Sequence, residues 1–155
     1  MAVLTIMIAM AEVFETKPKD FHSEKDVAAC YVTCKNRFLL LKRAPDKPQP
    51  ETWGVPAGKF ESEETPDEAV IREVLEEVGL HVTPTHLGEL YVKHPDLHFT
   101  YHMFHHHFDA FPEVILSPEH TEFVWATYEE ALSLPLIGGG KDALAHYHKI
   151  LSNKA

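Results

Sequence analysis

Hydrophobic and polar positions recur along this chain with two periods, near 2 and near 3.6, and each change of period marks a boundary. Residues 27–33 (VAACYVT) and 38–43 (FLLLKR) are apolar-rich and predict two strands joined by a turn at Lys35-Asn36-Arg37. Residues 44–59, APDKPQPETWGVPAGK, carry four prolines and two glycines and predict a structured loop rather than a regular element. The clearest helix follows. Thr65 is the N-cap, Pro66 takes the first helical position, Glu68 completes a capping box and Gly79 stands where the left-handed residue after a helix belongs. At about 100° per residue, Val70, Ile71, Val74, Leu75 and Val78 fall in one arc and are expected to bury. Glu73, Glu76 and Glu77 fall in a second arc, with the small Ala69 between them. Strands are expected over 85–93, 97–108 and 121–126, then a short helix capped by Thr127 and Glu130. A last helix over 141–152 puts Leu144, Tyr147 and Leu151 on one face. Strands interspersed with a few helices make a mixed α/β domain.

The ends and the composition narrow this further. Residues 1–25 read as an N-terminal extension, and residues 26–155 as a single domain. Met1–Ala11 is apolar, yet it is too short to span a bilayer and has neither a leading Lys or Arg nor a cleavage pattern. It is expected to be an added strand or a poorly ordered leader, with Met10 as an alternative start. A net charge of −10 argues against a groove for polymeric nucleic acid. The same charge leaves room for a small anionic substrate, because bound divalent cations invert the local field. Cys30 and Cys34, four apart on a strand, would lie roughly 13 Å apart, too far for a disulfide. A reducing, cytoplasmic setting is the expectation, with no membrane partner. The pattern does not decide between a monomer and a homodimer.

Chemistry concentrates on the acidic face of the first helix. Three carboxylates on one turn repel each other unless a cation joins them, and hard oxygen ligands suit Mg²⁺ or Mn²⁺. Arg72, four residues before Glu76, can orient or neutralise part of the cluster. On its own such a face is more often simply solvated. The wider stretch reverses that balance. From Gly58, GKFESEETPDEAVIREVLEEVGL follows G-x5-E-x7-R-E-U-x-E-E-x-G-U at every defined position, where U is aliphatic. This resembles the Nudix box, and LLLKR, WGVPAG and EHTEFVWATYEEAL extend the resemblance over about residues 26–150.

The resemblance implies an α/β/α sandwich around a mixed β-sheet, and hydrolysis of a nucleoside diphosphate linked to another group with Mg²⁺ or Mn²⁺. By position it implies Glu76 and Glu77 as metal ligands, and Glu73 as a further ligand or the base that activates water, oriented by Arg72. Glu64 would bind metal or pair with Arg72, and the main-chain carbonyl of Ala57 would be another ligand. The general base can also come from outside the motif, and Glu119 and Glu122 are the candidates. Arg43, ending LLLKR, would reach a substrate phosphate. A small nucleotide-type substrate is expected, foremost a nucleoside triphosphate or oxidised dNTP. Dinucleoside polyphosphates, ADP-ribose and nucleotide sugars are the alternatives, and a non-catalytic nucleotide-binding module is the alternative class.

Other features read as structural. Trp53 is expected to pack its loop rather than stack on a base. Gly138–Gly140 lacks P-loop spacing and suits a helix start. In YHMFHHHF (101–108) strand alternation puts His105 and His107 on one side and His106 on the other with Phe104 and Phe108. An HxH pair there lacks an identifiable third zinc ligand.

Overall fold

Strand β2 (Lys25–Cys34) pairs in parallel with β7 (Leu97–His107) from Lys25 opposite Phe99 to Thr33 opposite His107. Its other edge is shared. β5 (Ala57–Lys59) lies antiparallel along Val27–Ala29, and β3 (Arg37–Arg43) along Thr33–Cys34. β3 then turns to β8 (His120–Ala126) and the short β4 (Trp53–Gly54). Beyond β7 come β6 (Thr85–His94) and β1 (Glu12–Phe14), so the sheet is mixed and forks at the outer edge of β2. The computed structural model describes residues 11–153. The reading of residues 1–10 as a strand or leader, and of Met10 as a start, lies outside them.

Both faces of the sheet are covered. Ala28, Cys30, Val32, Leu39, Leu41 and Phe104 pack with Val70, Val74 and Val78 of helix α1 (Pro66–Val78). On the other face Tyr31, Leu40, Leu90 and Met103 meet Ala131 of α2 (Tyr128–Leu132) and Ala143, Leu144 and Tyr147 of α3 (Gly140–Asn153). The result is an α/β/α sandwich. The adjacent Met103 and Phe104 are both fully buried because β7 has a helical layer on each side. Among the described residues no helix is long and apolar enough to cross a membrane. Cys30 and Cys34 are free thiols in the interior.

Five expectations change or sharpen. The β2–β3 turn is only Lys35-Asn36, both at positive φ, as a two-residue hairpin loop requires. The proline-rich loop contains β4 and β5, which are too short to show a period of their own. Within the first 25 residues Glu12–Phe14 adds to the sheet, and Phe21 is buried edge-on to Tyr91 and stacked on His98. Leu151 is partly exposed at the end of α3, where the packing face runs out.

The fifth concerns α1. Val70, Val74 and Val78 are buried as expected, but Ile71 and Leu75 are 41% and 42% exposed, while Ala69 and Glu77 are buried. The helix is rolled toward its acidic side, so the stripe meeting the sheet includes Glu77 and excludes Ile71 and Leu75. Its ends are those the capping signals predict: Thr65 accepts from Glu68 N–H, Glu68 accepts from Thr65 N–H, and Gly79 closes the helix at φ 72°.

The roll predicts an inverted order of cost in urea unfolding. Val74→Ala removes fewer carbons than Ile71→Ala yet should cost about 2 kcal/mol or more, against no more than about 1 kcal/mol for Ile71→Ala. The opposite order would return the helix to the five-residue arc.

Candidate active site

The N-terminal part of the site is built by β5 and α1 together. Gly58 lies so close to the Glu73 carboxylate that a β-carbon would overlap it. The adjacent Ala57 N–H donates to Glu77 Oε1 at 3.1 Å. Two carboxylates of one helix are thus held against the backbone of one short strand.

Arg72 organises the other acids. Its Nε and Nη2 donate to the two oxygens of Glu64 at 2.7 and 2.9 Å, the forked pairing that a guanidinium makes with a carboxylate. Nη1 donates to Glu73 at 2.8 Å and to Glu76 at 3.1 Å, and Nη2 also donates to the Lys59 carbonyl at 3.0 Å. The hydrogen bonds from Arg72 hold Glu64 down at about 2, with a further contribution from the Glu61 backbone. Glu64 is thus paired with Arg72, one of the two arrangements expected of it.

Glu73 and Glu77 move in the opposite direction. Burial raises Glu77 well above the ordinary carboxylate range, and the neighbouring charges of Glu73 and Glu119 add to it. Burial also raises Glu73, while Arg72 opposes the rise. Two adjoining carboxylates removed from water ionise together only if a cation joins them. Their oxygens, with the half-exposed Glu76 beside them, form a hard donor set that fits a divalent ion such as Mg²⁺ or Mn²⁺.

The end of α1 positions the next acid. Ser117 N–H donates to the Glu77 carbonyl and Ile115 N–H to the Val78 carbonyl, both at 3.0 Å, satisfying acceptors that a helix end leaves open. Gly79 turns the chain out of the helix at a left-handed φ, and a β-carbon there would make only ordinary contact with Ile115 of this strap at 3.4 Å. The strap carries Glu119 to the wall of a cavity of about 760 Å³ that Glu73, Glu76 and Glu77 also line. Glu122 is not brought there. One turn of strand alternation later, it stands opposite Lys42 on β3 and pairs with it at 3.0 Å, so the structure separates it from the carboxylate cluster.

The rest of the wall mixes aliphatic side chains with cationic and aromatic ones. Arg43 lines it, with its Nε donating to the Pro48 carbonyl at 2.6 Å. Lys25 and Lys59 line it as well, and burial followed by the charge of Lys59 lowers the pKa of Lys25. His120 is buried at its wall, with its pKa lowered by burial and then by Arg43. Tyr31 and Tyr101 meet hydroxyl to hydroxyl at 3.2 Å. Trp53 packs against the second core cluster, as expected of a loop-packing residue, and also lines the cavity. Sequence reasoning missed Lys25, Lys59, His120 and the two tyrosines. Only His120 had a signal, as the neighbour of Glu119 in EHTE.

Of the remaining features, the glycine run reaches the same cavity through Gly138 and Gly140. Gly140 opens α3, and Gly138 N–H donates to the Gln49 side chain at 2.7 Å. His105 and His107 share a face, and Thr33 Oγ1 lies 3.0 Å from a ring nitrogen of each. His106 faces the other way, edge-on to Phe108. None of the three lines the main cavity.

A family model described as the NUDIX domain matches residues 23–147. A CTP pyrophosphohydrolase of Escherichia coli (strain K12) is 30% identical over 113 residues, spanning 72% of this chain and 82% of that protein. An 8-oxo-dGTP diphosphatase of the same organism is 40% identical over 68 residues, spanning 42% of this chain and 51% of its own length. The crystal structure of a MutT protein from Methanosarcina mazei Go1 superposes with a TM-score of 0.74 at 25% identity, covering 84% of this chain and 96% of that one.

The close approach of Glu73 to Gly58 has a measurable consequence. Gly58→Ala should still fold, losing about 1–3 kcal/mol, because the flexible end of Glu73 can swing away. Its Mn²⁺ affinity, read by electron paramagnetic resonance of the free ion, should fall at least about tenfold. Unchanged affinity would show that the ion does not need Glu73 where it lies.

Proposed function

The chain belongs to the NUDIX family of pyrophosphohydrolases, and from that premise we propose that it hydrolyses nucleoside triphosphates or their oxidised deoxy forms with Mg²⁺. The observation that carries this reading is one cavity lined both by the carboxylates of α1 and by aromatic side chains. A polyphosphate and a base can therefore lie in the same space. The names of the similar proteins, a CTP pyrophosphohydrolase and an 8-oxo-dGTP diphosphatase, support a triphosphate over the other expected substrates.

In this reading Glu73, Glu76, Glu77 and the Ala57 carbonyl hold the cation. When bound, Mg²⁺ neutralises the polyphosphate and lowers the pKa of a bound water. Arg72 fixes the direction of Glu73, and Ala57 N–H fixes that of Glu77. Arg43, Lys25 and Lys59 supply positive charge along the cavity for the phosphates, against the negative balance of the chain. Trp53 and Tyr101 offer aromatic surface to the base, with the Tyr101 hydroxyl held by the buried Tyr31. Water adds its oxygen to one phosphorus, the anhydride bond breaks, and the bridging oxygen leaves with the other phosphate group. Glu119 accepts the proton of that water. The depressed pKa of His120 keeps its ring neutral at pH 7, so it does not cancel the charge of Glu119.

The test is a panel of nucleoside triphosphates, oxidised dNTPs, dinucleoside polyphosphates, ADP-ribose and nucleotide sugars with Mg²⁺, with products separated by ion-exchange chromatography. Triphosphates should turn over fastest. Preference for a member of the other classes by an order of magnitude in kcat/KM would reject the substrate reading.

The choice of base has its own test. Glu119→Gln should lose about 10²–10⁴ in kcat, while Glu122→Gln should stay within about threefold, as befits an exposed strand pair. Equal losses would remove Glu119 from the base role.

A further inference from the structure

We infer that His86, Glu89 and His102 form a second cation site, one for a borderline divalent ion of the zinc class. It shares no residue with the glutamate site. Among the described residues, the ligand atoms of these three side chains lie within 4.8 Å of one another.

A β-bulge brings them together. Residues three apart on a regular strand point to opposite faces. On β6, however, the register with β7 shifts between His86 and Gly88, with His86 opposite Phe104 and Glu89 opposite His102. The extra residue restores the phase, so His86 and Glu89 share the face of His102. Gly88 absorbs the distortion at φ 134°, a value that side chains rarely adopt.

The distances suit coordination. Glu89 Oε1 lies 3.6 Å from His86 Nε2 and 3.8 Å from His102 Nδ1. Tetrahedral bonds of about 2.0–2.2 Å place donors roughly 3.3–3.6 Å apart, so small side-chain rotations close the site. Two imidazoles and one carboxylate select zinc-class ions over Mg²⁺. They also leave a fourth position for water on the side where His86 and Glu89 are partly exposed.

The environment of His102 is the second observation. The residue is only 8% exposed, and its Nε2 lies 2.8 Å from Asp26 Oδ1. A carboxylate only accepts, so Nε2 carries the hydrogen, and in the neutral ring Nδ1 presents its lone pair. That Nδ1 is buried, has no hydrogen-bond partner, and faces the carboxylate of Glu89. With the ring neutral, its lone pair and the Glu89 carboxylate are two acceptors facing each other, and a cation between them satisfies both. The order carboxylate, imidazole, metal position is the arrangement by which proteins orient a metal-binding histidine. Phe60 covers the ring at 4.9 Å and anchors its N–H on the Asp26 carbonyl at 3.1 Å, closing the inner side.

Co²⁺ titration of the untagged full chain in excess Mg²⁺ tests the site. The wild type should take up one Co²⁺ with the visible absorption of a four- or five-coordinate ion, and stoichiometric Zn²⁺ should bleach it. His86→Ala and Glu89→Gln alter partly exposed side chains, and circular dichroism should show both folded. Each should weaken Co²⁺ at least about tenfold, and Asp26→Asn by about 10–100-fold. Glu77→Gln and the double variant His105→Ala/His107→Ala should bind as the wild type does. A wild type showing only the weak absorption of hydrated Co²⁺, undiminished binding by folded His86→Ala and Glu89→Gln, or loss confined to the His105/His107 variant would each overturn the assignment.

Discussion

Two carboxylates pressed out of water against a backbone are the constraint around which this structure is organised. Glu73 lies on Gly58 and Glu77 on the Ala57 amide. To bring them there α1 rolls toward its acidic side, leaving Ile71 and Leu75 in solvent and burying Ala69. Apolar burial alone would turn the helix the other way, since each aliphatic side chain left out forgoes some of the hydrophobic gain. The acids are held inside by specific partners, Glu73 by Arg72 and Glu77 by the Ala57 amide.

The sheet supplies the space. β2 hands its outer edge from β5 to β3, and β3 turns away to β4 and β8. The acids of α1 thereby open onto the same cavity as Arg43, Lys25, Trp53 and the tyrosine pair. Net charge says little about such a place. The chain carries −10 overall, yet cationic side chains from β2, β3 and β5 line this one cavity. Local fields depend on which charges the topology brings together.

The fold sorts its potential ligand side chains by type. Hard carboxylate oxygens gather on α1, and imidazoles gather with one carboxylate at the bulge on β6. The conspicuous histidine triplet takes part in neither, because Thr33 holds two of its rings from the neighbouring strand and the third faces the opposite side. Richness in a ligand residue along a strand does not make a site, since alternation disperses it.

Read alone, the sequence determined what is local: the capped helix from Thr65 to Gly79, the strand periods, and the spacing that carries the acidic motif. Capping bonds, φ preferences and residue periodicity act within a few positions, so they are written in adjacent letters. What it could not show depends on partners distant in the chain. The roll of α1 is set by a glycine on β5, and Glu119 is separated from Glu122 by a strap from Ile115 and Ser117 to the end of α1. The short strands β4 and β5 exist only because longer strands offer them an edge, and His86 joins Glu89 only through a register shift against β7. Tertiary structure decided these because each is a choice between faces, and a face has meaning only once something packs against it.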